Sequence, residues 1–320
     1  MSSLVDLPNE LLLLIHSEID EYDLLTHVCY LQLCSRTRAC YARSPPRFWR
    51  RLARTHGLGL SRMEEDTELV WRKVAVECAE HVWVCQHPEC GEQRLKENRE
   101  AMDKAILQWE DLDCEETIVH DEVWDGTDPG GDNTPSTLFL HIDFNSAFPC
   151  VEDSESKRSK GILKCAFLKA TPPVAYRTSD LVEYHPVALR TFATFPPMAM
   201  MDTYDPKHYD SDGGLQIRNP DGVTVYDVLI AFSEVMSFNM TSKNLRLLMD
   251  YTPPRNFFPK TWTVADVLQA TPVVGSWFQL THWQGFVQEE PTLFSCVFEP
   301  KQLPNDVREH INMYKAKTKR

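Results

Sequence analysis

One stretch of the chain, HVWVCQHPECGE at residues 81–92, groups side chains that bind transition metals. Cys85 and Cys90 are separated by four residues, and His81 and His87 lie beside them. Thiolates and neutral imidazoles are the usual ligands of zinc, which takes four of them in a structural site. The stretch therefore indicates a candidate zinc site whose ligand set is incomplete within the motif itself.

Two layouts could complete this set. Cys114 and His120 in CEETIVH would give a C-x4-C…C-x5-H arrangement, whereas His81 could close the site locally. The alternative is that the protein has no cofactor. Cys85 is then a buried thiol at a helix end, and His87 and Cys90 belong to a polar turn before the next helix.

Motifs of catalysis are absent from the sequence. It contains no nucleophile elbow, no phosphate-binding or dinucleotide-binding glycine loop and no H-E-x-x-H helix. We therefore expect that the protein is not an enzyme. An unrecognised hydrolase in the C-terminal part remains an alternative, because catalytic residues can assemble from scattered positions.

Composition restricts the class of protein further. The 320 residues are 42% hydrophobic and carry a net charge of −14, which predicts a globular chain that binds neither nucleic acid nor membranes. No apolar run approaches the length of a membrane span, and the N-terminal stretch lacks the basic leader of an export signal. With ten cysteines and no such signal, we expect a cytoplasmic or nuclear protein whose thiols are not disulfide-bonded.

The predicted secondary structure that positions these side chains changes along the chain from helices to strands. Hydrophobic periodicity predicts short helices within 4–56 and longer helices over 66–84 and 93–109. Residues 110–133 follow with ten acidic and no basic side chains, which predicts a solvated loop. Strand-like segments then occur at 137–144, 162–168, 189–195 and 292–299.

These patterns predict an α+β fold in three segments. Residues 1–56 form a small helical domain, residues 57–134 form a helical linker region with the acidic loop, and residues 135–320 form a larger mixed domain.

The first helix raises a separate question, because LVDLPNELLLLI at residues 4–15 is apolar on more than one side. On a helix, Leu11, Leu14, Ile15 and Ile19 share one face, which is the usual core-facing stripe, whereas Leu12 and Leu13 lie elsewhere. A segment of about fifty residues made of short helices has little core of its own to cover a second face. We therefore expect an external partner to cover it.

The order LPNELLLLI, DLL, LCSR and FWRRL resembles the F-box, a motif of about fifty residues that docks onto the adaptor Skp1. The positions that match the family pattern are Leu7, Pro8, Glu10, Ile15, Asp23, Leu24, Leu33, Ser35, Arg36, Trp49 and Leu52. The resemblance implies a substrate-recruiting subunit of a Skp1–cullin–F-box ubiquitin ligase, with an unknown protein substrate held by residues 135–320. The side chains expected to contact Skp1 are Leu7, Pro8, Leu11, Leu12, Ile15, Leu24, Leu33 and Trp49.

A fainter resemblance lies further along the chain. LRTFATFPPM and IRNPDGVTVYDVLIAF, at residues 189–198 and 217–232, are similar to a fungal domain of unknown function, which implies no activity. Two other interpretations stay open for the whole protein. It could be a zinc-stabilised interaction or regulatory protein outside any ligase, and its N-terminal helices could be a cap on the chain's own second domain.

Overall fold

The structure is a computed structural model, and it describes residues 7–110, 133–143, 166–167, 181–203, 215–236, 239–243, 245, 263–270, 281–289 and 293–300. The chain divides into two compact units. The first comprises Met1–Ser136, His185–Ala199 and Arg218–Val225, and the second comprises Thr137–Tyr184, Met200–Ile217 and Tyr226–Arg320. Within the described residues the fold is α+β, as predicted.

The helices of the described residues are numbered here in chain order. They are α1 (Asn9–Glu18), α2 (Leu24–Leu33), α3 (Ser35–Cys40), α4 (Phe48–Thr55), α5 (Glu68–Val84), α6 (Gly91–Glu110), α7 (Pro186–Arg190), α8 (Val225–Met236) and α9 (Val264–Ala270).

The strands are short except for the last two. They are β1 (Thr134–Pro135), β2 (Ile142–Asp143), β3 (Ala166–Phe167), β4 (Thr194–Phe195), β5 (Met200–Thr203), β6 (Leu215–Arg218), β7 (Thr281–Gln288) and β8 (Leu293–Pro300).

The helices of the first unit begin where the sequence supplies start signals. Helix α1 starts directly after Pro8, the Asp23 carboxylate accepts a hydrogen bond from the Thr26 amide at the start of α2, and the Thr67 hydroxyl accepts one from the Val70 amide at the start of α5. The Asp23 and Thr67 side chains thereby satisfy first-turn amides that have no partner within the helix. The short helices predicted within 4–56, and those predicted over 66–84 and 93–109, are therefore confirmed.

Helix α5 forms the centre of the first unit. It packs against α2, α4, α6 and α7, and it buries Trp71, Val74 and Cys78. Helix α7 comes from a much later part of the chain. The segment that follows α7 is fixed by backbone pairing, since Leu58 bridges to Thr191 and β1 pairs antiparallel with β4.

The second unit contains a four-stranded sheet in the order β6-β5-β8-β7. Strand β8 pairs in parallel with β5, with Thr203 opposite Phe294, and antiparallel with β7. The β7–β8 register shifts between Trp283 and Phe286, where Gly285 has φ +99 and a Cβ would lie 2.9 Å from the Leu140 side chain. Phe286 is buried against Phe139 and Phe232 in this unit.

The strand predictions had mixed outcomes. The prediction at 292–299 is confirmed by β8. Residues 137–141, in contrast, form a 3-10 turn before the short β2, and 189–190 belong to helix α7. Of 162–168 the structure describes only 166–167, which are in β3. Alternation of apolar residues did not separate strands from turns and short helices here, because each segment is brief and buried.

The compact units also differ from the three segments predicted from sequence. Residues 185–199 and 218–225, which we assigned to the C-terminal domain, are part of the first unit. The boundary predicted at residue 56 lies inside that unit, since α4 packs directly on α5. Residues 185–199 join the first unit because they pair with residues far away in sequence, as Thr191 does with Leu58 and β4 with β1. Such pairing has no local sequence signal.

None of the described helices is both long and apolar enough to cross a membrane.

Candidate functional site: a leucine face and a histidine–cysteine cluster

Three leucines of α1 and α2 are exposed to solvent, and together they are called the leucine face here. Leu11 and Leu14 of α1 are 44% and 55% exposed, and Leu33 at the end of α2 is 51% exposed. Leu11 and Leu14 are three residues apart, so they are neighbours on one side of the helix. Exposed apolar side chains of this size indicate a surface that a partner could cover.

Arg36 in α3 fixes that helix to the start of α1. Its guanidinium donates to the Leu7 carbonyl oxygen at 2.6 Å and to Asn9 Oδ1 at 2.7 Å. Arg36 comes only three residues after Leu33, so the end of α2 and the start of α1 lie in the same part of the helical region. A planar guanidinium that binds two acceptors fixes this arrangement well.

The core below this face consists of Leu12 and aromatic side chains. The Tyr30 hydroxyl donates to the Leu12 carbonyl oxygen at 2.6 Å, and the Tyr41 hydroxyl donates to the His27 carbonyl oxygen at 2.8 Å. His27 is buried with its ring centroid 4.9 Å from that of Phe48. Burial is the main reason that the pKa of His27 falls to about 4, and the neighbouring His16 lowers it further.

The expected orientation of α1 was wrong. We expected Leu11 and Leu14 to point into the core, but Leu12 is the buried leucine and Ile15 is half-buried beside it. The helix is apolar on nearly every side, so its periodicity did not determine which side packs against α3. That choice depends on packing against Tyr30 of α2 and Tyr41, which directly follows α3.

Three of the expected Skp1 contacts lie in the protein core instead. Trp49 is only 3% exposed, and Leu12 and Leu24 are also buried. The Trp49 ring packs against Tyr41 and Phe48. As placed here, these three side chains support the helices from within and present no surface to a partner.

The other expected contacts are accessible to different extents. Pro8, Leu11 and Leu33 are exposed, and Leu7 and Ile15 are half-buried. Leu14, which we had assigned to the core, is the most exposed leucine of the face.

A second site lies where α5, α6 and α7 meet. Four side chains, His81, Cys85, Cys90 and His185, have potential ligand atoms that all lie within 4.8 Å of one another. His81 Nε2 is 3.3 Å from His185 Nδ1, and Cys85 Sγ is 3.4 Å from the same Nδ1 atom. Cys90 and His185 are buried, and His81 and Cys85 are half-buried. These four residues are called the histidine–cysteine cluster here.

Local structure explains how the residues of 81–92 converge. His81 and Cys85 are one helical turn apart at the end of α5, and the Cys85 amide donates to the His81 carbonyl oxygen at 2.8 Å. The chain then turns back into α6 at Gly91, which has a left-handed φ of +67. A Cβ at Gly91 would be 3.4 Å from the Cys85 carbonyl oxygen, so glycine permits Cys90 to approach the end of α5 closely.

His185 is the residue directly before α7, and its side chain extends into the cluster. The following segment is anchored to the helical unit, because Arg190 forms an ion pair with Glu64 and Asn98 Nδ2 donates to the Thr191 hydroxyl at 2.9 Å. The position of His185 therefore depends on two contacts of the segment that follows it, one with Glu64 before α5 and one with Asn98 in α6.

Burial shifts the pKa of two cluster groups, Cys90 and His81, towards their uncharged forms. Burial raises the pKa of the Cys90 thiol to about 12, and the nearby Cys85 adds to this effect. Burial and the neighbouring His185 lower the pKa of His81 to about 4.

The sequence identified three of the four cluster residues. His81, Cys85 and Cys90 come together as expected, whereas Cys114 and His120 lie outside the described residues. His185 was missed, since it is 100 residues from Cys85 and no spacing marks it among eleven histidines. His87 lies close by, with its ring centroid 5.2 Å from that of His185, but it is not one of the four.

No protein-family model matches this chain, and the searches of curated proteins and of solved structures found no significant similarity. The F-box resemblance therefore rests on the residues of 4–56 alone.

Proposed function

We propose that the protein is a substrate-recruiting subunit of a Skp1–cullin–F-box ubiquitin ligase, which binds a Skp1-like adaptor through its N-terminal helices. The leucine face carries this proposal. It exposes Leu11, Leu14 and Leu33 in the segment whose order of motifs resembles the F-box. The proposed setting is the cytoplasm or the nucleus.

The exposure pattern suggests different tasks for the apolar residues of the N-terminal helices. Leu11, Leu14 and Leu33 would contact the adaptor together with Leu7 and Pro8 at the start of α1. Trp49, Leu12 and Leu24 would keep the helices folded, because they are buried.

The remaining chain would hold the protein to be ubiquitinated, and no residue of this chain would catalyse the transfer. Its contribution would be proximity, since a substrate held beside the charged conjugating enzyme reacts at a raised effective concentration. The identity of that substrate has no signature in the sequence, which contains no WD40, leucine-rich or kelch period.

The direct test is binding of the full-length protein to purified Skp1, measured by isothermal titration calorimetry. We expect the double variant Leu11→Asp/Leu14→Asp to bind at least about a hundredfold more weakly, because two carboxylates would be desolvated in the interface. The variant should remain folded, since both positions are exposed in the free protein.

The matched control is Leu69→Asp. Leu69 is an equally apolar and exposed leucine in the first turn of α5, outside the leucine face. The Leu69→Asp variant should bind Skp1 with wild-type affinity. If the wild-type chain does not bind Skp1, or if the double variant binds as tightly as the control, the ligase proposal is wrong.

A further inference from the structure

The histidine–cysteine cluster has the donor atoms of a zinc site. Two sulfur and two nitrogen atoms from three chain segments converge within 4.8 Å, and the two thiols are free rather than joined in a disulfide. A set of two thiolates and two imidazoles suits zinc, whereas magnesium and calcium prefer oxygen ligands.

Two distances within the cluster are close to those expected around one tetrahedral ion. With Zn–N bonds of about 2.05 Å and Zn–S bonds of about 2.3 Å, nitrogen ligands are about 3.3 Å apart, and sulfur and nitrogen ligands are about 3.6 Å apart. The corresponding distances here are 3.3 Å between His81 Nε2 and His185 Nδ1 and 3.4 Å between Cys85 Sγ and His185 Nδ1.

Burial supports the same conclusion. Cys90 and His185 are almost fully removed from water, at 2% and 4% exposure. Grouping polar side chains around one buried point costs free energy unless they are paired or bind an ion. A bound divalent cation would interact favourably with all four side chains.

We propose that His81, Cys85, Cys90 and His185 bind one Zn²⁺ ion in a structural site. Binding would release two thiol protons, so that two thiolates balance the two charges of the ion. Because four protein side chains fill the tetrahedron, no coordination position is left for water or substrate, which distinguishes this site from a catalytic one.

The ion would act as a cross-link within the first unit. Cys85 and His185 are 100 residues apart in sequence, so the metal would close a long loop and fix α7 on the junction of α5 and α6. Cross-links that close long loops remove much conformational freedom from the unfolded chain. We therefore expect zinc to raise the stability of the whole first unit.

The test is metal analysis of the full-length protein, purified under reducing conditions and dialysed against zinc. We expect about one zinc per chain, as the four-ligand set requires. Replacement by Co²⁺ should give the visible bands of a tetrahedral ion and a thiolate-to-cobalt charge-transfer band. A chelator should lower the melting temperature by about 5 °C or more, and added zinc should restore it.

Single substitutions identify the ligands. Cys90→Ser and His185→Gln should each lose most of the bound zinc, whereas the exposed thiol variant Cys29→Ser should keep it. Cys114→Ser and His120→Asn should also keep it, which separates this site from the layout that the sequence alone allowed. If a ligand variant does not fold, the cobalt spectrum of the wild-type protein still tests whether the site binds a metal ion.

Three results would overturn the zinc proposal. They are wild-type protein that takes up neither zinc nor cobalt, full zinc content in His185→Gln, or a peptide map of protein purified without reductant that shows a Cys85–Cys90 disulfide. The Skp1 measurement is independent of all three, so either proposal can fail while the other stands.

Discussion

The leucine face and the histidine–cysteine cluster are opposite cases within the same compact unit. At the leucine face, apolar side chains are exposed to water on α1 and α2. At the cluster, polar side chains that bind metals are taken out of water where α5, α6 and α7 meet. Exposed apolar side chains gain from contact with another apolar surface, whereas buried polar side chains gain from pairing or from a bound ion. The partners proposed for the two regions therefore differ in kind: a protein at the leucine face and a cation at the cluster.

The largest expected effect is a difference in stability loss between a substitution in the core and one in the leucine face above it. Trp49→Ala should destabilise the protein by about 3–5 kcal/mol, as large-to-small changes at buried aromatic residues do, because Trp49 is buried against Tyr41 and Phe48. Leu14→Asp should change stability by less than about 0.5 kcal/mol, since the side chain is exposed. Urea unfolding of the two variants measures both values. Equal losses would show that the leucine face is covered by the chain itself.

A second effect concerns the buried polar network beside the cluster. Arg94 is buried and its guanidinium lies 3.1 Å from a Glu89 carboxylate oxygen and 2.9 Å from one of Glu97. Arg94→Met should destabilise the protein by about 3 kcal/mol, because it removes the charged guanidinium that pairs with the buried Glu89 carboxylate.

Lys96→Met on the same helix is the matched control for Arg94→Met. Lys96 forms an exposed pair with Glu100 at 3.9 Å and should contribute less than about 0.5 kcal/mol. Thermal or urea unfolding of both variants tests the difference. Similar losses for the two would mean that burial does not set the strength of the Arg94 network.

The smallest effect is a pH dependence within the helices of the leucine face. His27 has a folded-state pKa of about 4, below its ordinary value of 6.5, mainly because it is buried. Between these values the unfolded chain binds more protons, so the stability from His27 is fully present above pH 6.5 and is lost as the pH falls towards 4.

His27→Gln should therefore show a shallower loss of melting temperature than wild type as the pH falls through this range. Melting curves at several pH values compare the two slopes. The same slope in both proteins would contradict a buried, neutral His27.

Much of the helical structure follows from local sequence signals. Pro8, Asp23 and Thr67 mark the starts of α1, α2 and α5, and each acts within a few residues of its own position. The C-x4-C motif likewise predicted that His81, Cys85 and Cys90 lie together, because all of these contacts are local.

Tertiary structure alone decided the orientation of α1, the burial of Trp49 and the fourth member of the cluster. A helix that is apolar on most sides has no single preferred face, so packing against α3 selected Leu12 for the core and left Leu11 and Leu14 in water. His185 joins residues 100 positions away because the segment around α7 packs on α5 and α6. Local patterns carry no information about contacts between such distant positions, and for this reason the sequence identified the kind of site but not its complete set of residues.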